Sequence, residues 1–158
     1  MNPCVTLTDG AGFYCWMNPD NESLLRLGSI RNKSHPLVKF NSSTKLHVTV
    51  MYSYVQPRLI FPKPKTYQAE LVGFDIWNSD DSLILVGLLD SFDLEALHGH
   101  FVCLGAVHTF DPYTPHITLA EFTYDHPDIY EYCYLLNQTE RPKRLSFGSQ
   151  IYVDNIKD

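Results

Sequence analysis

The residue types best suited to chemistry in this sequence occur as two histidine–threonine pairs with the same spacing. One residue separates His47 from Thr49, and one residue separates His116 from Thr118. Residues i and i+2 of a β-strand leave the same face of a sheet, so each pair could reach a single chemical group. Imidazole, with an ordinary pKa of about 6.5, transfers protons near neutral pH, and a threonine hydroxyl can donate to a phosphate oxygen. The two pairs therefore predict acid–base catalysis at a phosphate ester, by a mechanism that requires no metal.

Other interpretations of the histidines have weaker support. Neither pair has a Cys, Asp or Glu nearby at the spacing of metal ligands. His98 and His100 would point to different sides of a predicted helix, which favours exposed surface residues over a metal pair. His108 and His126 fall at the edges of predicted elements and are interpreted as surface residues. No Ser or Cys lies in the elbow motif of a hydrolase, and two unrelated structural histidines would not explain the repeated pattern.

The segments that carry the two pairs are predicted to be β-strands. In residues 46–52 apolar side chains alternate with His47 and Thr49, and residues 115–120 repeat the pattern. This period of two is typical of a half-buried strand. Within residues 66–77, Val72, Phe74 and Ile76 are expected to form one face of a strand. The opposite face would then hold Gly73, Asp75 and Trp77. Further strands are predicted at residues 12–17, 83–89 and 145–156.

Three helices are predicted between these strands. Asp20 or Asn21 can cap the first, and Ser91 or Asp93 can cap the second, which runs to about Leu104. The third begins at residues 126–128, while residues 32–44 are predicted to form a loop. The order strand, helix, loop, His-x-Thr strand thus occurs twice. We predict one α+β domain over residues 1–158, with two similar lobes of antiparallel sheet, outer helices and a central cleft.

The charges are unevenly distributed along the chain. A formal net charge of -6 argues against binding of long nucleic acid. Residues 26–65 contain eight basic residues and no acidic residue, whereas residues 70–131 contain twelve acidic residues and no Lys or Arg. His47 therefore lies in a positive segment, which favours a small anionic ligand. Two solvated faces of opposite sign would explain the charges equally well.

The cysteines and the N-terminus indicate a reducing compartment. Cys4, Cys15, Cys103 and Cys133 form no CxxC pair and are predicted to be reduced, with the last three packed among apolar residues. The N-terminus lacks the pattern of a signal peptide, and no apolar run approaches membrane-spanning length. We predict a soluble cytoplasmic protein.

The two strands resemble the paired His-x-Thr motifs of the two-histidine (2H) phosphoesterase superfamily. Its members cleave 2′,3′-cyclic phosphates, 2′,5′-linked oligoadenylates or cyclic oligonucleotides without a metal. Within that superfamily, residues 46–52, 74–77 and 113–118 are most similar to the phage anti-CBASS nucleases, which destroy cyclic di- and trinucleotide messengers of bacterial antiphage defence. The resemblance implies no cofactor, a cyclic di- or trinucleotide substrate, and action in the host cell cytoplasm.

The same resemblance assigns roles to individual residues. It makes His47, Thr49, His116 and Thr118 the catalytic set. Four more residues are expected to bind the substrate: Tyr14 and Trp77 by stacking on bases, Lys45 through phosphate, and Gln150 through a base or ribose. The nucleases often have Phe-Gly-x-Glu where residues 147–150 end in Gln150, and an amide there cannot serve as a carboxylate.

Two rival functions remain open from the sequence. A 2′,3′-cyclic phosphodiesterase of RNA processing would share the motifs, but it would favour a broader basic groove than the net charge of -6 supports. A non-catalytic sponge for cyclic nucleotides would bind the messenger unchanged. A sponge has no need for two His-x-Thr pairs.

Overall fold

The two predicted His-x-Thr strands lie side by side in one curled antiparallel sheet, although the first of them begins at Val48, directly after His47. The computed structural model describes residues 4–5, 12–33, 35–80, 82–110, 112–123 and 125–156. It has the predicted α+β architecture, while the division into two similar lobes stays a prediction. The strands are β1 (Cys4–Val5), β2 (Phe13–Met17), β3 (Val38–Phe40), β4 (Val48–Ser53), β5 (Leu59–Ile60), β6 (Tyr67–Ser79), β7 (Ser82–Asp90), β8 (His116–Phe122), β9 (Lys143–Phe147) and β10 (Tyr152–Asn155). The helices are α1 (Asn21–Arg31), α2 (Phe92–Cys103) and α3 (Pro127–Thr139).

The main sheet has the strand order β10-β2-β4-β8-β7-β6-β9, with β3 pairing beside β8. An isolated bridge between Pro19 and Phe147 brings the β9 end back to the chain that follows β2. Strands β1 and β5 form a separate two-stranded sheet. The two His-x-Thr strands, β4 and β8, are therefore neighbours at the centre of the main sheet.

Local signals place the helices where the sequence predicts them. The Asp20 carboxylate accepts the Ser23 N–H at 2.8 Å and caps α1, and the Ser91 hydroxyl accepts the Leu94 N–H at 3.0 Å and caps α2. These contacts satisfy donors that have no partner within a helix. The His126 side chain accepts the Asp128 N–H and caps α3. The interpretation of His126 as a plain surface residue is therefore wrong.

One hydrophobic core joins the sheet to the three helices. Helix α1 packs on β9, α2 on β6 and β4, and α3 on β6. Val48 and Ile117 each lie between a histidine and its threonine, and Val50 follows Thr49. All three side chains are fully buried in the core. This alternation turns both pairs away from the core. Within the described residues, no helix is long and apolar enough to cross a membrane.

Several boundaries differ from the predicted ones because of strand pairing. Part of the expected loop at residues 32–44 forms β3, which pairs with β8. The expected last strand is two strands, β9 and β10, with Gln150 in the segment between them. In β6 the register with β7 shifts between Leu71 and Gly73. This bulge leaves Val72 51% exposed, so the predicted apolar face keeps Phe74 and Ile76 but not Val72.

The cysteines and two histidines also differ in part from expectation. Cys15, Cys103 and Cys133 are free, as predicted, but Cys103 is exposed and does not pack in the core. The side chain of Cys4 lies outside the described residues. His98 and His100 are half-buried rather than surface residues, because each bonds a backbone carbonyl of another segment, Val50 and Ile60 respectively.

Candidate active site

The candidate site is built on the register between β4 and β8. Val48 pairs with Ile117 in the antiparallel sense. Counting outward from this pair puts Thr49 across from His116 and, by the same count, His47 across from Thr118. Both pairs leave the face opposite the core, so two imidazoles and two hydroxyls converge on one patch of the sheet.

The two imidazoles are held in the same way. His47 Nδ1 lies 2.9 Å from the carbonyl oxygen of Lys45, and His116 Nδ1 lies 2.8 Å from that of Thr114. A carbonyl only accepts, so Nδ1 carries the proton and donates in both rings. Each neutral ring then has its lone pair on Nε2. The matching i to i−2 contacts thus give both histidines one tautomer with Nε2 free for proton transfer.

The surroundings of the two histidines differ. His116 is half-buried. The centroids of the His116 and Trp77 rings are 4.4 Å apart, and the angle between the two ring planes is 60°. Burial lowers the pKa of His116, the Thr114 carbonyl opposes this, and the nearby His47 lowers it further. His47 is exposed. The site therefore pairs one desolvated imidazole with one that stays in contact with water.

A cleft of about 340 Å³ opens beside His116. Thr49, His116 and Thr118 line it from the two central strands. The β6–β7 hairpin and the loop before β8 supply the remaining walls, which are largely aromatic. The hairpin contributes Trp77, Asn78, Ser79 and Ile84, the loop and the residues before it contribute His108, Phe110, Pro112, Tyr113 and Thr114, and β4 contributes Tyr52.

Trp77 is oriented by its own strand. Its indole Nε1–H donates to the Asp75 carboxylate at 3.0 Å, as expected for two residues on one face of β6. The ring then packs against His116 on the wall of the cleft. Trp77 is thus the predicted binding residue that lies beside His116 and in the cleft.

The other predicted binding residues lie outside this cleft. Tyr14 is half-buried on the same face of the sheet, stacked on Trp16 with centroids 4.8 Å apart and tilted against Tyr52 at 5.8 Å. Lys45 is exposed, and its backbone carbonyl holds the His47 ring. Gln150 is exposed between β9 and β10. Of the catalytic set, His47 is the member that does not line the cleft wall.

Sequence reasoning missed the aromatic wall contributed by Tyr52, His108, Phe110 and Tyr113. His108 is not a plain surface residue, because its Nδ1 accepts the Tyr52 N–H at 3.2 Å and its ring packs on Tyr113. The available signal was the density of rings just before His116 in the sequence. Rings close to His116 in the sequence are candidates for the wall of a site that contains His116.

The described residues contain no group of three or more His, Cys, Asp or Glu side chains that could hold a metal ion. The donors that converge at the site are two imidazoles and two hydroxyls. Thiolate and carboxylate ligands of the kind used by structural and catalytic zinc centres are not among them.

A model of a known protein family matches most of the chain. The family model for the anti-CBASS protein Acb1 matches residues 11–134, and the chain belongs to this family. The matched segment contains both histidine pairs, Tyr14 and Trp77, whereas Gln150 lies beyond it.

Curated relatives come from several phages. The chain is 39% identical over 77 residues to the anti-CBASS protein Acb1 of Enterobacteria phage T4, covering 48% of this chain and 50% of the relative. The protein of that name from Salmonella phage S16 is 37% identical over 76 residues, with 48% and 50% covered. That of Escherichia phage RB16 is 30% identical over 99 residues, covering 63% of this chain and 55% of the relative. The matched region spans about half the length of the first two relatives.

Proposed function

We propose that the protein is a phosphodiesterase of the two-histidine kind that cleaves 3′–5′ linkages of cyclic di- and trinucleotides. The observation that carries this proposal is the opposed arrangement of the two His-x-Thr pairs around Val48 and Ile117. Two imidazoles with equal tautomers, facing one patch beside a cleft, suit a reaction that moves one proton off an oxygen and one proton onto another.

The chemistry is an in-line transfer within the substrate. The ribose 2′-oxygen next to a 3′–5′ linkage attacks phosphorus, and its proton goes to Nε2 of one histidine. The P–O5′ bond breaks as the new P–O2′ bond forms, and Nε2 of the other histidine gives its proton to the leaving O5′. The product has a 2′,3′-cyclic phosphate, which water can open with the two roles reversed.

The asymmetry of the site favours His116 as the base and His47 as the acid. A base must be neutral before the reaction, and desolvation of His116 beside Trp77 disfavours its charged form. An acid must begin as imidazolium, and the exposed His47 keeps water around that charge. Each neutral Nε2 has the lone pair that a base needs, because Nδ1 donates to a carbonyl.

The threonines supply donors to the phosphate. Thr49 lies across from His116, and Thr118 lies across from His47 by the same register. Both hydroxyls are half-buried on the cleft wall, where donation to a non-bridging oxygen is stronger than in water. Their proposed role is to stabilise the charge that develops on the phosphoryl oxygens.

The surroundings of the patch suit a nucleotide of limited size. Trp77 is the proposed stacking surface for the base whose phosphate lies at His116. Tyr14 already stacks on Trp16 and lies beside Tyr52, so we propose that it contacts a second base with the part of its ring that these neighbours leave open. Lys45 is proposed to contact phosphate and Gln150 a base or ribose.

The biological role follows from the family. The relatives are anti-CBASS proteins of phages, and we propose that this protein likewise defeats cyclic-nucleotide immunity in the host cell. Destruction of the messenger, rather than its sequestration, is the proposed means, because sequestration needs neither a neutral imidazole nor a protonated one.

The test is chromatography of a mixed panel of cyclic di- and trinucleotides after incubation with the protein and subsequent denaturation. We expect ring-opened products ending in a 2′,3′-cyclic or terminal phosphate, and no cleavage of matched 2′-deoxy analogues. Recovery of the whole panel unchanged would indicate a sponge and would overturn the proposal. Opening of linear 2′,3′-cyclic phosphates alone would point instead to RNA processing.

A further inference from the structure

Strand β4, which carries Thr49 and directly follows His47, has a bulge beside the site. Cys15 of β2 pairs with Met51, but Trp16 pairs with Thr49, so Val50 is an extra residue on β4. Side chains from elsewhere reach the carbonyl oxygens at this bulge. The Tyr113 hydroxyl donates to the Thr49 oxygen at 2.8 Å, and His98 Nδ1 donates to the Val50 oxygen at 2.8 Å.

The two donors support each other. The Tyr113 and His98 rings are stacked face to face, with centroids 4.1 Å apart and planes 3° apart. His108 packs edge-on against both, at 4.7 Å from His98 and 5.4 Å from Tyr113. Burial raises the pKa of the Tyr113 phenol, so the hydroxyl remains a donor throughout the neutral range. The direction in which Tyr113 presents its proton is therefore fixed by packing.

The loop that contains Tyr113 runs along the edge of β4. The Thr109 N–H donates to the backbone carbonyl oxygen of Tyr52 at 2.8 Å, and the Val107 N–H donates to the Ser53 hydroxyl at 3.0 Å. This loop enters β8 at His116. The segment that leads into the second histidine pair is thus fastened to the strand of the first pair, and Tyr113 makes the contact nearest to the reacting groups.

We infer that Tyr113 is a positioning residue for the cleavage reaction, acting through the Thr49 peptide. Its hydroxyl holds the backbone of Thr49 next to a bulge, where the regular pairing with β2 is interrupted. The Thr49 hydroxyl is thereby kept opposite His116, so that both act on one phosphate. This inference rests on the proposed function, and it adds a residue that acts on catalysis without donating to the substrate.

The first test replaces Tyr113 with Phe, which keeps the ring and removes the donor. We expect kcat for a cyclic dinucleotide to fall about 10- to 100-fold, the scale of a small misplacement of a catalytic group. KM should stay within about twofold, because substrate contacts are unchanged. Tyr132→Phe is the matched control, since the Tyr132 hydroxyl also donates to a backbone carbonyl, that of Lys33, at 2.7 Å, away from the cleft. The control should keep its kcat.

The second test is a double-mutant cycle with Thr49→Val. If Tyr113 acts through Thr49, adding Tyr113→Phe to the Thr49→Val variant should not lower kcat any further. Losses that multiply would overturn the inference, as would a Tyr113→Phe variant that raises KM and keeps kcat. A wild-type protein that cleaves no cyclic nucleotide would overturn the proposed function and this inference together. An active wild type with a fully active Tyr113→Phe variant would overturn the inference alone.

Discussion

Val48 and Ile117 form the backbone pair that joins β4 to β8. Each lies between a histidine and a threonine, so this one pairing sets His47, Thr49, His116 and Thr118 against each other. Beyond it the edge of β4 is taken up by the loop that precedes β8. Residues of these two strands, of this loop and of the β6–β7 hairpin line the cleft.

The first prediction concerns the two histidines. His47→Ala and His116→Ala should each lower kcat by about 10²–10⁴-fold, the usual range for a lost acid or base. Binding of an uncleavable 2′-deoxy analogue should persist, as measured by calorimetry. His126→Asn is the control, because Asn keeps a cap on α3, and it should leave kcat unchanged. Full activity of either alanine variant would contradict the acid–base assignment.

The second prediction separates the acid from the base. A substrate with sulfur at the bridging 5′ position has a leaving group that needs no proton. His47→Ala should cleave this linkage at nearly the wild-type rate, while His116→Ala should remain impaired, because only the latter lacks the base. Rates are measured by single-turnover chromatography. Rescue of His116→Ala instead would reverse the assigned roles.

The third prediction concerns pH. Burial beside Trp77 lowers the pKa of His116, and a base is active only when neutral. The profile of kcat/KM should therefore rise with pH through a midpoint below about 6.5, the ordinary pKa of a histidine in water. Trp77→Ala exposes the ring, which raises this pKa and moves the midpoint to higher pH. Trp16→Ala, which changes the other tryptophan, should leave the midpoint in place.

The fourth prediction concerns metal removal. In the proposed mechanism two imidazoles transfer the protons, and two threonine hydroxyls stabilise the charge on the phosphate. Cleavage of a cyclic dinucleotide should therefore proceed at an unchanged rate after dialysis against excess chelator. A loss of activity that added Mg²⁺ or Mn²⁺ restores would show that a metal ion takes part, and it would contradict the mechanism.

The fifth prediction concerns stability. The buried Ser91 hydroxyl accepts a hydrogen bond from the Leu94 N–H and donates one to the backbone carbonyl oxygen of Gln68 at 2.6 Å. Ser91→Ala should lower the free energy of unfolding by about 1–2 kcal/mol, measured by urea denaturation. Ser29→Ala, an exposed position within α1, is the control and should change it by less than about 0.5 kcal/mol. Neither should change the cleavage mechanism.

Local patterns in the sequence determined much of the fold. Alternation of apolar and polar residues predicted β4, which directly follows His47, and β8, which begins at His116. Asp20 and Ser91 marked the starts of two helices. The same alternation put each histidine and its threonine on one face. These features depend on neighbours within a turn or a few residues of strand, so they can be read from the chain directly.

The tertiary structure decided how the two pairs meet. The register of Val48 with Ile117 joins segments far apart in the sequence, and no local pattern fixes such a pairing. The bulge at Val50 and the Tyr113 contact to Thr49 arise only once the loop packs on β4. The unequal burial of His116 and His47 depends on Trp77 arriving from another strand. The sequence by itself therefore determined the two His-x-Thr pairs and Trp77 as candidates for the site, because their signals are local. Packing between distant segments added the aromatic wall of the cleft and decided the geometry.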